Sequence, residues 1–264
     1  MEQQIRNGAR KYLPSVIRKP LGALAGRFNQ RVIQPLGGLI FDLKGGRFYA
    51  DGCAFSIPKD ATTRAFRACF LTDKYEREER ELIQKWLRPD DSVIELGACL
   101  GIVSCVTNKL LKDKKRHVVV EGNPFCIPSI HRNKELNGAE FLVEHCAVGN
   151  QAEVTFYLHP AFVVGGNVQR ATNRPCRLPA KSLRQLDAER GPFSALIIDI
   201  EGSEQEVFEN SAELLKRYRL VIAELHEWAI GADGVERCRE LLHQSGLRRV
   251  GQAAIVEAWE RPKS

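Results

Sequence analysis

The stretch that decides the fold of this 264-residue chain is Val93-Ile94-Glu95-Leu96-Gly97-Ala98-Cys99-Leu100-Gly101. It reads as a buried strand that runs into a glycine turn and then into a helix. Gly97 allows a tight turn and lets a ligand approach the backbone, and Gly101 lets the helix pack close to the strand. Further on, the apolar run Val118–Val120 ends in Glu121. In a doubly wound sheet such an acid lies beside the glycine turn and can accept both hydroxyls of a ribose, so the two signals together predict a nucleoside cofactor.

Working outward from this stretch, short apolar runs alternate with longer helical segments. The predicted strands are Ser92–Leu96, His117–Val120, Phe141–His145, Ala195–Ile200 and Leu220–Leu225, and the predicted helices cover about 102–113, 124–137, 202–217 and 233–245. This alternation predicts a mostly parallel sheet with helices on both faces, an α/β fold of the Rossmann-like type. At the end, only Gly251-Gln252 separates the apolar runs Leu247–Val250 and Ala253–Trp259, which predicts an antiparallel last strand.

The chain before the first helix divides into two further segments. We predict a basic leader over residues 1–36, a small β-hairpin extension over 37–75 and a main domain over 76–264. In the extension, apolar Leu39–Leu43 and Phe48–Ala50 flank a glycine turn and predict a hairpin. Asp51-Gly52 predicts a further turn before Ala54–Ile57, and Ala161–Pro179 is expected to form a long loop that could cover a substrate.

The formal net charge of +6 is concentrated in the leader. Residues 1–36 hold seven bases and one acid, so the rest of the chain is neutral. A neutral body argues against a nucleic-acid partner, and no stretch is long and apolar enough to span a bilayer. We expect a cytoplasmic protein whose leader is a solvated tail, with docking of residues 1–36 on an anionic membrane surface as the alternative.

Three familiar nucleotide signatures are missing, which narrows the choice of cofactor. The sequence has no G-x-G-x-x-G for a dinucleotide, no Tyr-x-x-x-Lys of a short-chain dehydrogenase and no Gly-Lys-Ser/Thr of a P-loop. An acid in the glycine-bearing strand, Glu95, without a pyrophosphate cradle favours S-adenosylmethionine over NAD.

Six motifs, in order, resemble those of FkbM-type S-adenosylmethionine-dependent methyltransferases. They are Glu95–Gly101 (D-V-G-A-N-x-G), Val120–Pro124 (V-E-P-N-P), Asn133–Gly138 (N-x-x-L-N-G), Ala147–Asn150 (A-V-G-D/N), Ile198–Glu204 (I-D-V-E-G-A-E) and Glu224–His226 (E-x-H). The resemblance covers roughly residues 70–258. Its departures are Glu95 for Asp, Cys99 for Asn, Gly122 for Pro and Ile197 for Lys.

Together with the glycine turn, the resemblance implies that the main domain binds S-adenosylmethionine. The implied cofactor-binding residues are Glu95, Gly97, Ala98, Gly101, Glu121, Asn123, Ala147 and Asp199. It also implies methyl transfer to a hydroxyl of a sugar, glycan or secondary-metabolite acceptor. Amino-methylating enzymes of this architecture commonly carry N/D-P-P-Y/F after the fourth strand, where this chain has Asp-Ile-Glu-Gly, so O-methylation is preferred.

Four polar residues lie at the ends of the fourth and fifth predicted strands and are the candidate catalytic residues. Asp199 and Glu201 lie at the end of one strand, and Glu224 and His226 at the end of the other, each pair two residues apart and so on a shared face. His226 or Asp199 could take the proton of the acceptor. Alternatively, His226 is a hydrogen-bonded structural histidine and Asp199 binds cofactor or substrate.

A divalent metal on Asp199 and Glu224 is a competing possibility, with Mg or Mn as the matching ions. It is not favoured, because buried carboxylates at strand ends are often simply hydrogen-bonded. The arginines of the expected loop, Arg170, Arg174 and Arg177, would suit an anionic acceptor or are solvated.

Two other functions stay open at this level. A non-catalytic module that binds S-adenosylmethionine is compatible with the changes at Cys99 and Ile197. An NAD-dependent oxidoreductase is weakened by the missing third glycine of its fingerprint.

Overall fold

The computed structural model describes residues 33–158, 166–168 and 171–263. The basic leader, apart from its last four residues, lies outside them. In chain order the helices are α1 Gln34–Leu43, α2 Arg64–Arg67, α3 Arg77–Trp86, α4 Ile102–Leu110, α5 Ile127–Leu136, α6 Leu183–Arg190, α7 Glu204–Asn210, α8 Ala212–Leu215 and α9 Glu227–Gln244. The strands are β1 Arg47–Ala50, β2 Cys53–Ser56, β3 Val93–Leu96, β4 His117–Glu121, β5 Leu142–His145, β6 Ala147–Val148, β7 Glu153–Leu158, β8 Gly166–Asn167, β9 Pro175–Lys181, β10 Ala195–Ile198, β11 Leu220–Glu224, β12 Arg248–Ala253 and β13 Val256–Glu260.

A seven-stranded sheet with the order β12-β13-β11-β10-β3-β4-β5 forms the centre of the molecule. The five strands from β11 to β5 are parallel, and β13 pairs with β11 in the antiparallel direction. The strand order reverses between β3 and β10, which is where ligands bind in sheets of this kind. The predicted Rossmann-like sheet, with its antiparallel end, is confirmed.

The central strands are continuous apolar runs because both of their faces are covered. β3, β4 and β10 are buried at every position. Alternate residues of β10 divide between two core clusters, so that Leu196 and Ile198 pack on one face and Ile197 on the other. Burial on both faces is what helices on both sides of a parallel sheet produce.

The N-terminal extension differs from its prediction in one element. Leu39–Leu43, expected as the first hairpin strand, lies in helix α1, and the hairpin consists of β1 and β2 joined by the turn at Asp51-Gly52. A short apolar run does not by itself distinguish helix from strand. Here Pro35 opens the helix and Phe41 packs with the aromatic side chains of Phe48 and Phe70.

Two asparagines of the Asn133–Gly138 motif, at the end of α5, hold this extension against the sheet. Asn137 Oδ1 accepts a hydrogen bond from Ala54 N at 2.8 Å, and Asn133 Oδ1 accepts one from Ser56 N at 2.8 Å. Asn133 also donates through Nδ2 to the carbonyl oxygen of Leu100 at 2.8 Å. The same side chain therefore joins the hairpin to the glycine turn.

A second, four-stranded sheet with the order β6-β9-β7-β8 was not anticipated. The expected loop Ala161–Pro179 is corrected in part: β9 begins at Pro175 and pairs with β7, whereas residues 161–165 and 169–170 lie outside the described part of the chain. The sequence did not predict β9 because proline normally argues against a strand. Proline is nevertheless tolerated at strand positions whose N–H would not form a hydrogen bond with the neighbouring strand.

At the C-terminus the antiparallel pair is present, but its turn lies later than expected. Gly251-Gln252 belongs to β12, which has an irregularity in register between Arg249 and Gly251. The chain reverses at Ala254, which adopts a φ of +51°. In the part of the chain that the structure describes, no helix combines the length and the apolar character needed to cross a membrane.

Candidate active site

A cavity of about 750 Å³ opens at the carboxyl ends of β3, β4, β10 and β11. Of the residues singled out from the sequence, those that line it are Gly97, Ala98, Glu121, Asn123, Ala147, Asp199, Glu201 and Glu224. Glu95, Gly101 and His226 do not line it. The topology thus brings most of the predicted site into one place, since parallel strands end at the same edge of a sheet.

The glycine turn is a position where only glycine fits. Gly97 has a φ of +88°, and a Cβ placed on it would lie 1.7 Å from the carbonyl oxygen of Asp199. Gly101 has a φ of +73° and would bring a Cβ to 3.3 Å from the Cα of Ile130 on α5. Cys99, between them, has a φ of +47°. Asn tolerates this left-handed conformation better than most side chains, which explains why the related motif has Asn there.

Glu121 holds the glycine turn through its carboxylate. Its Oε2 accepts hydrogen bonds from the backbone N–H groups of Ala98 at 3.0 Å and Cys99 at 2.8 Å, and its Oε1 accepts one from Asn123 N at 2.6 Å. Burial raises the pKa of Glu121, and these three hydrogen bonds oppose the increase. The carboxylate lies beside the turn, as its place in the sequence predicts, and its contact with a ribose stays a prediction.

Glu95 lies away from the cavity. Its side chain is fully buried, accepts a hydrogen bond from the Ser104 hydroxyl and has its Oε2 3.2 Å from His117 Nε2. Glu95 and Ser104 therefore join β3 to α4. The structure does not bring the Glu95 carboxylate to the cofactor side of the turn.

Five residues form a cluster at the ends of β10 and β11, which we call the strand-end cluster: Asp199, Glu201, Glu204, Glu224 and His226. His226 Nε2 lies 3.4 Å from Glu224 Oε1, 3.6 Å from Asp199 Oδ1 and 3.7 Å from Glu201 Oε2. On the other side of the ring, His226 Nδ1 lies 2.9 Å from Glu204 Oε1. The His226 side chain is only 5% exposed and lies behind the carboxylates that line the cavity.

The charges of this cluster shift the pKa values of its members. Burial lowers the pKa of His226, but its hydrogen bonds with Glu204 and Glu224 and the charge of Asp199 outweigh burial and raise that pKa to about 11. Burial, reinforced by the charge of Glu224, raises the pKa of Asp199 well above its usual range. Glu204 is the member that sequence reasoning missed as a site residue, although it is the last residue of the Ile198–Glu204 motif.

A further wall of the cavity comes from the segment that precedes and begins α3. Tyr75, Glu76, Glu78 and Glu79 line it, and none of these was singled out, because glutamates at the start of a helix normally form a solvated face. Glu79 is only 3% exposed. Burial, then the charge of Asp199, raises the pKa of Glu79 well above its usual value. Glu76 Oε2 is also buried without a hydrogen-bond partner.

The lining of the cavity is acidic. The described residues that line it include neither lysine nor arginine. They include seven carboxylates: Glu76, Glu78, Glu79, Glu121, Asp199, Glu201 and Glu224. Arg177 of the expected lid is 84% exposed and lies 3.9 Å from Glu153, Arg174 does not line the cavity, and Arg170 lies outside the described residues. Such a cavity fits a ligand with positive charge, and S-adenosylmethionine carries a sulfonium and an ammonium group beside its nucleoside.

Comparison with known proteins identifies the family. The methyltransferase FkbM domain matches residues 95–248, which is more than half of the chain. No curated protein matches the sequence. Among solved structures, precorrin-6y C5,15-methyltransferase from Geobacter metallireducens has 12% identity and a TM-score of 0.46, covering 79% of this chain and 94% of that one. Fibrillarin from Aeropyrum pernix, in complex with S-adenosyl-L-methionine, has 10% identity and a TM-score of 0.43, covering 69% and 73%. The domain match, together with the glycine turn and the cavity at the strand ends, establishes that the chain belongs to the FkbM methyltransferase family and is an S-adenosylmethionine-dependent methyltransferase.

Proposed function

We propose that this enzyme methylates a hydroxyl group of an uncharged acceptor, such as a sugar, a glycan or a hydroxylated secondary metabolite. The observation that carries the proposal is the wall formed by Asp199, Glu201 and Glu224, three carboxylates that line the cavity at the ends of β10 and β11. Methyl transfer to oxygen requires that the acceptor lose a proton, and a carboxylate within hydrogen-bond reach can accept it.

The cofactor side of the cavity is assigned to the glycine turn and its supports. The backbone of Gly97 and Ala98 lets the cofactor approach closely, Glu121 receives the ribose, and Asn123 and Ala147 border the nucleoside. The buried carboxylates of Glu76 and Glu79 face the cationic methionine end. When bound, S-adenosylmethionine supplies the activated methyl group.

Glu201 is the residue that we propose as the proton acceptor. Its side chain is 49% exposed, against 24% for Asp199 and 22% for Glu224, so its carboxylate is the most accessible of the three to an acceptor. Asp199 and Glu224 would orient the acceptor hydroxyl. His226 does not line the cavity, so we propose that it acts as a positioning residue that holds these carboxylates.

The charge of the cavity limits the acceptor. A phosphorylated or carboxylated molecule would bring negative charge next to several carboxylates with no described lysine or arginine to offset it. Neutral hydroxylated acceptors avoid this repulsion. The acidic lining therefore supports an uncharged acceptor over the anionic one that the lid arginines suggested.

Calorimetric titration and a transfer assay test the proposal in turn. We expect S-adenosylhomocysteine to bind and NAD to give no heat. Transfer of a labelled methyl group should then occur to members of a panel of neutral sugars and polyols and should be absent with their phosphate esters. Transfer to amines but to no hydroxyl would overturn the proposed acceptor class and leave the cofactor assignment intact.

A further inference from the structure

The potential metal-ligand atoms of the strand-end cluster lie close together, but most of the distances between them are longer than those of good hydrogen bonds. Asp199, Glu224 and His226 each offer one donor atom within 4.8 Å of the others, and Nε2 of His226 is 3.4–3.7 Å from oxygens of Asp199, Glu201 and Glu224. Good N–H···O bonds are about 2.7–3.2 Å long. Two ligands that share one ion, each about 2.1 Å away at an angle of 90–109°, are about 3.0–3.4 Å apart.

The imidazole ring of His226 is held by one nitrogen, so that its other nitrogen, Nε2, faces the carboxylates of the cluster. Glu204 Oε1 lies 2.9 Å from Nδ1 and is itself held by the backbone N–H groups of Ile200 at 3.3 Å and Gly202 at 3.1 Å. A histidine that binds a metal ion usually has its other ring nitrogen on a carboxylate in this way, because that contact sets the tautomer and the direction of the ring. Nε2 is thereby turned toward Asp199 and Glu224.

Two further observations show that the carboxyl groups here have few partners. Among the described residues, Asp199 Oδ1 is buried and has no hydrogen-bond partner. The ion pairs of Asp199, Glu201, Glu204 and Glu224 in the described chain are all with the single ring of His226. Burying several carboxylates with so little positive charge is costly unless they take up protons or a cation joins them.

We propose that Asp199, Glu224 and His226 bind a divalent cation at the floor of the cavity. Two carboxylates and one imidazole form an oxygen-rich donor set that suits Mn²⁺ or Mg²⁺, and the cavity leaves the remaining positions open to water or to an acceptor oxygen. The role of this ion rests on the proposed function: bound next to Glu201, it would lower the pKa of an acceptor hydroxyl and hold the oxygen in place.

Binding of Mn²⁺ tests this without any turnover. The full chain, free of cofactor, is titrated with MnCl₂, and the loss of the free-ion electron paramagnetic resonance signal is followed. We expect one Mn²⁺ per chain in the wild type. Asp199→Asn and Glu224→Gln should each weaken binding by about tenfold or more, and Glu204→Gln, which removes the carboxylate behind His226, by about 10–100-fold. Glu227→Gln removes an exposed carboxylate of the adjacent helix and should leave the affinity unchanged.

Several results would overturn the proposal. They are the absence of Mn²⁺ binding to the wild type, or binding that persists in both Asp199→Asn and Glu224→Gln. Far-UV circular dichroism shows whether each variant is folded, and the wild-type titration stands whether or not a variant folds. The test is also separable from the proposed function: methyl transfer that is undiminished in the presence of a chelator would remove the ion and keep O-methylation, whereas Mn²⁺ binding without transfer to any hydroxyl would do the reverse.

Discussion

Acidic side chains lie at two places on the same edge of the sheet, and the two places differ in the hydrogen bonds and ion pairs that their carboxyl groups make. At the end of β4, Glu121 accepts three hydrogen bonds from backbone N–H groups within and beside the glycine turn. At the ends of β10 and β11, the strand-end cluster has four carboxylates around one imidazole, and Asp199 Oδ1 has no hydrogen-bond partner.

The difference shows which part of the site the protein completes alone. The carboxylate of Glu121 is paired by the chain itself, so it can shape the glycine turn before any ligand arrives. The strand-end cluster has more carboxyl groups than its one imidazole can pair, which is the property of a place that receives a cation or a reacting proton. Four variants probe this contrast, described in order of decreasing expected effect.

Gly97→Ala should have the largest effect because Gly97 touches both regions. Its added Cβ would meet the carbonyl oxygen of Asp199 at 1.7 Å, and its φ of +88° is strained for alanine. We expect a loss of about 3–5 kcal/mol in the free energy of unfolding, measured with urea, and no detectable binding of S-adenosylhomocysteine. Gly138→Ala is the matched control: its φ is +56°, no atom lies within 4 Å, and it should cost only about 1–2 kcal/mol. Equal losses in the two variants would show that the close approach to Asp199 is unimportant.

Glu201→Gln should separate catalysis from cofactor binding. The amide keeps the size of the side chain but does not accept the acceptor's proton, so kcat should fall by about 10²–10⁴-fold. Because Glu201 lies on the acceptor wall, the affinity for S-adenosylhomocysteine should stay close to that of the wild type. Wild-type kcat in this variant would remove Glu201 from the proposed proton transfer, and Glu227→Gln is the control for loss of a nearby acid.

Glu121→Gln should weaken cofactor binding with a smaller effect. An amide nitrogen accepts no hydrogen bond, so at least one of the backbone N–H groups of Ala98, Cys99 and Asn123 loses its partner, at a cost of about 1–3 kcal/mol. The affinity for S-adenosylhomocysteine should fall by about tenfold or more, as measured by calorimetry. Glu140→Gln, at an exposed position, should leave it unchanged. Unaltered affinity in Glu121→Gln would mean that its carboxylate neither shapes the turn nor contacts the cofactor.

Asp91→Asn tests a buried carboxylate at the opposite end of β3, whose charge is paired by neighbouring residues. We expect it to have the smallest effect of the four variants. Burial raises the pKa of Asp91, but its contacts with Arg219, Arg88 N and Ser194 outweigh burial and lower that pKa. A lowered folded-state pKa means that the carboxylate stabilises the fold above about pH 4 and that this contribution is lost as pH falls through the folded-state pKa. We expect the variant to be about 2 kcal/mol less stable than the wild type at pH 7, with a difference that shrinks in urea titrations toward pH 3.

Asp90→Asn provides the control for that experiment. Asp90 is the neighbouring residue, is 78% exposed and forms an ion pair with the exposed Lys112. An exposed pair contributes about 0–1 kcal/mol, so its loss should barely change stability at either pH. If Asp91→Asn kept the same deficit at pH 3 as at pH 7, its carboxylate charge would not be the source of the stabilisation.

The central sheet could be predicted from the sequence because its strands are buried on both faces. Runs such as Val118–Val120 and Ala195–Ile198 consist of apolar residues throughout, and glycine turns or helices separate one run from the next. The predictions that failed concern short elements. Leu39–Leu43 lies in a helix whose Phe41 packs into the aromatic cluster of the extension, and β9 pairs with β7 despite its two prolines. In both cases tertiary contacts overrode a weak local pattern.

The candidate site was predicted to a different extent on its two sides. Gly97, Glu121 and Asp199 lie at strand ends, where open α/β sheets bind their ligands. Their positions in the chain were therefore enough to predict that they lie at the candidate site. Glu76 and Glu79 come from a segment outside the matched domain and became visible only when α3 was placed against the sheet. Conversely, the place of Glu95 in its motif predicted a contact with the cofactor, but its side chain contacts Ser104 and His117 instead.

By itself, the sequence determined the order of the strands' motifs, the glycine turn with its acid and the membership of a methyltransferase family, because each depends on short-range spacing along the chain. Only the tertiary structure decided which carboxylates meet. Glu79, Asp199 and Glu224 are far apart in sequence, and their charges interact because separate strands and a helix meet at one cavity. The net positive charge that distinguishes the sequence comes from seven bases of the leader, all of which precede the described residues, whereas the lining of the candidate active site is acidic.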